Sequence, residues 1–135
     1  MPQQQTLIEK FYEWTRLKCR IQTASERSVY FKEREIWWAS IGANIGSEEN
    51  GKNKLFERPV LILKKFYGGE VIWVVPMTST ERYGYYYSLT EFHGRRYSFL
   101  LPQIRAISPK RLVRKLRTLQ EPEFVAVKSR LKNFL

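Results

Sequence analysis

Two short apolar runs constrain this chain most: Arg58-Pro59-Val60-Leu61-Ile62-Leu63 and Val71-Ile72-Trp73-Val74-Val75-Pro76-Met77-Thr78. Each is nearly all apolar and rich in β-branched residues, the pattern of neighbouring strands buried on both faces. Each has a polar group at one end, Arg58 opening the first and Thr78 closing the second. If the connection Lys64–Glu70 joins them as an antiparallel pair, the start of one lies beside the end of the other. A guanidinium and a hydroxyl then share one rim of a small sheet.

The chain has 135 residues, 43% of them hydrophobic and 15% aromatic, enough for one packed core. No apolar run reaches membrane-spanning length, and Met-Pro-Gln-Gln-Gln does not open a signal peptide. A single cysteine, Cys19, excludes an internal disulfide and fits a reducing, cytoplasmic interior. With one histidine, one cysteine and no aspartate, the residue types of a protein-built metal site are nearly missing, and neither metal nor cofactor is expected. The net charge is +11 and uneven: residues 1–94 hold 13 Lys/Arg against 11 Glu, and residues 95–135 hold 11 against 2. That asymmetry suggests a polyanion, nucleic acid first, against the plainer reading of a solvated helical face.

Leu7, Phe11, Trp14, Leu17 and Ile21 recur at helical spacing, so residues 7–22 are expected as an amphipathic helix, with Thr6 and Glu9 as a capping box. Cys19 is read there as an ordinary buried or half-buried thiol. Gln22–Arg34 suits a loop or helical tail. Glu35–Ile41 is a strand, followed by a long loop, 42–54, with three glycines. Loops of this length without structure of their own tend to be functional, but no phosphate-loop spacing is present. Tyr83–Leu89 is expected as a strand, 91–96 as a hairpin tip, Tyr97–Leu101 as the return, and Gln103–Ile107 as a further strand after a break at Pro102. Ser108-Pro109 reads as the start of a basic helix over 110–117, with Leu112, Val113, Leu116 and Leu119 as its apolar face. Pro122 opens a last helix. The fold class expected is α+β, mainly β: a small, strongly bent barrel at 34–135 with C-terminal helices, preceded by a helical extension at 1–33.

Glu35-Ile36-Trp37, Gly46-Ser47-Glu48, Gly51-Lys52, Arg58-Pro59-Val60-Leu61-Ile62, Val75-Pro76-Met77-Thr78-Ser79, Gln103-Ile104-Arg105 and Lys110-Arg111-Leu112 stand in the order found in the PemK/MazF toxins. Over residues 34–134 the chain resembles a toxin of a type II toxin–antitoxin pair. The resemblance implies an SH3-like barrel, a homodimer, and a metal-independent endoribonuclease for single-stranded RNA that a cognate antitoxin restrains. It places Arg58 at the scissile phosphate with Thr78 beside it. Ser47 and Glu48 fall on a bordering loop, with Glu48 as the catalytic carboxylate and Glu57 second. Two family positions differ: Pro102 stands where many members have an acid, and Ser108 where an aspartate is common. Leu100 and Pro102 also replace the Arg and Asp on which members of the Kid type rely.

Chemistry supports the remaining pair. Metal-free cleavage proceeds when the ribose 2′-OH attacks its own phosphorus, so the protein need only position, neutralise and move protons. Arg58 offers a planar fork to phosphate oxygens, and Thr78 a hydroxyl donor. The plainer reading makes Arg58 the surface partner of Glu57 and Thr78 a strand-end residue. Lys52, Lys54, Ser47, Ser79, Gln103, Arg114 and Lys115 are the expected RNA contacts, the last two on the basic helix, which could equally receive an acidic antitoxin segment. His93 is expected on an exposed turn, with a proton-shuttle role as its alternative. Trp37, Trp38, Trp73 and Tyr85–Tyr87 could stack on bases, although alternation assigns about half of them to core or dimer contacts. A non-cleaving RNA-binding or antitoxin-binding module on the same fold is the alternative function, and a domain serving a protein partner alone is a third.

Overall fold

A computed structural model of the chain describes residues 2–24 and 29–135, with side chains from Thr6 onward. Part of the loop expected over 22–34 lies outside the described residues. Helix α1 spans Pro2–Thr23. Of its expected stripe Trp14 and Leu17 are buried while Leu7 and Phe11 are exposed, and the helix begins before Thr6, so Thr6 and Glu9 lie within it and not at its start. Seven strands follow: β1 Glu35–Ser40, β2 Glu57–Phe66, β3 Val71–Thr78, β4 Tyr87–Phe92, β5 Arg95–Leu100, β6 Arg105–Ile107 and β7 Leu112–Thr118; helix α2, Glu121–Lys132, closes the order. The strands make one sheet in the order β4-β5-β3-β2-β1-β7, with β6 beside β3.

β2 and β3 pair antiparallel with Val60 opposite Pro76 and Leu61 opposite Val75. Their side chains are buried on both faces. Val60 and Ile62 join Ile72, Val74, Trp37 and Leu112 in one cluster, while Leu61 and Leu63 join Val75, Met77, Phe99 and Leu119 in the other. Helix α2 covers the second cluster with Phe124 and Val127. Its acids Glu121 and Glu123 sit in the first turn and Arg130 and Lys132 in the last, each sign at the favourable end of the helix dipole. β4 and β5 meet at His93-Gly94, both with positive φ (51° and 75°) as a two-residue hairpin turn requires. β4 begins at Tyr87, so Tyr83–Tyr86 precede the strand instead of forming it, and Tyr85 and Tyr86 pack on Phe134 after α2.

One element differs in kind. The basic helix expected over 110–117 is a 3₁₀ turn at Pro109–Arg111 and then strand β7. β7 pairs with β1 through two register shifts, so that four steps along β1, from Ala39 to Glu35, are spanned by six along β7, from Leu112 to Thr118. Two bulges offset the period-2 alternation of the longer strand. Leu112 packs in the first cluster, whereas Leu116 and Leu119, the latter just past the strand, pack in the second, so leucines at intervals of four and three are divided between two faces and do not line one. β7 also comes close to the far end of the sheet: Arg117 Nη1 donates to the Glu91 carbonyl at 2.8 Å and its guanidinium lies over Phe92.

Candidate functional site

Arg58 and Thr78 stand at the same end of the β2–β3 pair, and both are buried. The Arg58 guanidinium is held from three sides. Nε donates to the Asn50 carbonyl at 2.7 Å, Nη1 to the Met77 carbonyl at 3.1 Å, and Nη2 lies 3.0 Å from Glu49 Oε1. Three of its N–H groups are thus committed, and the remainder of the fork can still donate. Burial pulls the Arg58 pKa below the ordinary arginine value while Glu49 opposes the shift; a guanidinium stays cationic under such shifts. Thr78 Oγ1 accepts from the Thr80 N–H at 3.3 Å, which leaves its own O–H as a donor.

The loop between β1 and β2 supplies Glu49 and Asn50, and its shape is set by side chains. Asn44 Nδ2 donates to the Ile41 carbonyl at 3.2 Å and the Glu49 carbonyl at 2.6 Å. Gln103 clasps the loop from the other side, accepting from the Glu49 N–H at 2.7 Å and donating to the Ser47 carbonyl at 3.1 Å. Glu48 turns back on its own loop and accepts from the Ile45 N–H at 3.1 Å. The neck of the loop is tight. A Cβ at Gly51 would fall 1.7 Å from the Phe56 carbonyl oxygen, and one at Gly42 2.2 Å from Trp14 Cε2. Trp14 of α1 thus rests on the neck, against Phe56 at 5.7 Å between ring centroids.

The structure therefore gathers Arg58, Thr78, Gln103 and the Ser47 backbone at one rim, and adds Glu49 in the place expected of Glu48. Ser79 is exposed just beyond Thr78, and Lys52 and Lys54 are exposed near the loop's return. Arg114 and Lys115 are not on a solvated helix. They lie on β7, Arg114 forked onto Glu57 with both N···O distances 3.0 Å and Lys115 3.0 Å from Glu35. Glu57 is accordingly the partner of Arg114, with no ion pair to Arg58 among the described residues. Trp37 is buried, its indole donating to Glu35, and Trp73 is exposed, as is His93 on its turn. Cys19 is exposed, against the expectation of a buried or half-buried thiol. Among the described residues, no helix is long and apolar enough to cross a membrane.

Sequence reasoning missed Glu49 because Glu48 and Glu49 are adjacent in an irregular loop, where no periodicity says which carboxylate turns inward. It also gave no role to Arg105, and placed Arg111 only on the basic helix expected over 110–117. Arg105 Nη1 donates to the Ile41 carbonyl at 3.4 Å, and Arg111 Nη1 to the neighbouring Ser40 carbonyl at 3.2 Å.

The sequence model of one family, described as PemK-like, MazF-like toxin of type II toxin-antitoxin system, matches residues 32–135. No curated protein matches the chain. Among solved structures, MazF from Deinococcus radiodurans superposes with a TM-score of 0.67 at 19% identity, over 79% of this chain and 97% of its own. A mycobacterial endoribonuclease in complex with its cognate antitoxin gives 0.59 at 12% identity, over 77% and 93%. The Mycobacterium tuberculosis toxin MazF-mt6 gives 0.56 at 19% identity, over 74% and 94%. At these identities the likeness is one of fold, a mainly antiparallel sheet.

Proposed function

Since the chain belongs to the PemK-like, MazF-like toxins of type II toxin–antitoxin systems, we propose that it is an endoribonuclease that cuts single-stranded RNA by 2′-OH attack without a metal ion. The observation that supports this reading is a buried guanidinium, Arg58, beside the Thr78 hydroxyl, with the Glu49 carboxylate 3.0 Å from Nη2. In the reaction, Arg58 and the Thr78 O–H donate to the non-bridging oxygens of the scissile phosphate, where charge builds as a fifth oxygen approaches phosphorus. Glu49 takes the role the sequence assigned to Glu48 and accepts the proton of the attacking 2′-OH. The 2′ oxygen bonds to phosphorus, the bond to the 5′ oxygen breaks, and that oxygen takes a proton from solvent. Gln103 acts through Glu49: it holds the loop that carries the carboxylate. Ser47, Ser79, Lys52 and Lys54 border the path of the RNA.

A cognate antitoxin is the protein partner in this reading, a homodimer its assembly and the cytoplasm its compartment. Incubation of purified protein with single-stranded RNA in EDTA tests it, with end-group analysis of the products. The expected fragments carry 2′,3′-cyclic phosphate and 5′-hydroxyl ends. Cutting that requires Mg²⁺, or 3′-hydroxyl ends, overturns the scheme. RNA bound but uncut leaves a non-cleaving module on the same fold.

A further inference from the structure

Arg105 and Arg111 lie close enough to repel, and among the described residues no carboxylate answers either. Arg34, Arg58, Arg96, Arg114 and Lys115 all have a glutamate within 4 Å, whereas among the described residues neither Arg105 nor Arg111 has one. They reach instead for two backbone oxygens at the end of β1, those of Ile41 and Ser40. Both side chains are half-buried. The Trp14 ring lies 5.5 Å from the Arg111 guanidinium. Burial, and then the charge of Arg105, lower the Arg111 pKa. Two like charges near one another in a partly desolvated place raise the free energy of the empty site, and an arriving anion relieves it.

Their position says which anion. Ala39 of β1 pairs with Arg58, so the carbonyls of Ser40 and Ile41 lie one and two residues beyond the strand position next to the proposed scissile-phosphate group. The Ile41 carbonyl that receives Arg105 also receives Asn44, from the loop whose Asn50 carbonyl receives Arg58. A strand of RNA with one phosphate at Arg58 that runs on past the end of β1 meets these two groups with its next phosphates, and guanidinium forks match phosphate oxygens. We propose that Arg105 and Arg111 form a second phosphate site, which holds the RNA backbone beside the bond that is cut. It rests on the RNA-cleaving reading above and adds a backbone-binding site to it.

The test uses the full chain and a single-stranded RNA carrying 2′-O-methyl groups throughout, which binds without being cut. Affinity is measured from low to moderate salt. Each phosphate neutralised on a single strand contributes about −0.7 to the slope of log K against log salt. Arg105→Gln is expected to flatten the slope by about 0.7, and the double variant with Arg111→Gln by about 1.4, at unchanged melting temperature for the single variant. Lys132→Gln at the far end of α2 serves as the control and is expected to change the slope by much less. An unaltered slope in Arg105→Gln overturns the site, and so does an equal change in Lys132→Gln, which would mean diffuse charge. Loss of binding to an acidic antitoxin segment with RNA binding intact overturns it in favour of a partner surface. If the unsubstituted chain fails to cut unmodified RNA in EDTA yet the Arg105-dependent slope is present, the phosphate site stands and the catalytic reading falls.

Discussion

Arg58 and Arg114 belong to one sheet, and each has a glutamate oxygen at 3.0 Å, but the two pairs are built in opposite senses. The Arg58 side chain is 8% exposed and its partner Glu49 27%, whereas Arg114 is 52% exposed and Glu57 4%. In the first pair the cation is buried and the anion sits on a wetter loop; in the second the anion is buried and the cation lies outside. Glu49 can move off the Arg58 Nη2 at little cost, so that a phosphate takes its place on the guanidinium while the carboxylate stays at the rim. Arg114 cannot leave without stranding a carboxylate in the sheet, because among the described residues Glu57 has only Asn53 as a further side-chain partner. A buried cation with a replaceable anion suits an anion-exchange site, and the reverse arrangement suits a structural pin.

Substitution of each guanidinium should separate the two roles. Arg58→Ala is expected to lower single-turnover cleavage of RNA by about a hundredfold or more, with a cooperative melt retained, since the Glu49 it leaves behind can solvate. Arg58→Lys should recover little, because a point charge cannot replace the fork. Wild-type rates in a folded Arg58→Ala chain would show that the reacting phosphate lies elsewhere.

Arg114→Ala should act on stability. It leaves Glu57 buried with its charge unanswered and is expected to cost about 2–3 kcal/mol, read from chemical denaturation. Glu57→Gln, which leaves a half-exposed guanidinium free to meet water, should cost about 1 kcal/mol. Equal costs for the two would remove the asymmetry on which the comparison stands.

The smallest effect lies at the neighbouring pin, Lys115–Glu35. Burial raises the Glu35 pKa, but hydrogen bonds from the Trp37 indole, the Lys32 N–H and the Lys115 ammonium, with the Lys115 charge, outweigh it and hold the carboxyl below its usual value. A carboxyl depressed in the folded state stabilises above the unfolded carboxyl pKa of about 4.3, and that contribution is lost as pH falls through the lower folded value. The melting temperature of the wild-type chain should therefore exceed that of Glu35→Gln near neutral pH, and the gap should close as pH falls below about 4. A gap that is constant from pH 7 to pH 3 would contradict this assignment.

Much of the fold was legible because burial leaves a periodic trace. The paired runs over 58–63 and 71–78 gave β2 and β3, and their antiparallel pairing put Arg58 beside Thr78 as expected. The His93-Gly94 turn and the start of α2, with Pro122 in its first turn, follow from local chemistry. β7 was not legible, because leucines at helical spacing serve two separate clusters along a strand with two bulges. The cations assigned to a wet helical face are exposed as expected, but they stand on a strand and are salt-bridged to Glu57 and Glu35. The choice between Glu48 and Glu49 depends on Asn44, Gln103 and Trp14, which meet the loop from different parts of the chain.

The pairing of Arg58 with Glu49 as the reacting groups is tested most directly by single-turnover cleavage of one RNA in EDTA by Glu49→Gln and Glu48→Gln, side by side. Removal of a proton acceptor from the reacting site costs about a hundredfold or more. The expected result is that loss in Glu49→Gln, with Glu48→Gln within a few-fold of wild type, since a glutamine oxygen at 48 can still accept from the Ile45 N–H within its own loop. A hundredfold loss in Glu48→Gln with Glu49→Gln at the wild-type rate would contradict the assignment, and would mean that the loop rearranges to bring Glu48 to the phosphate.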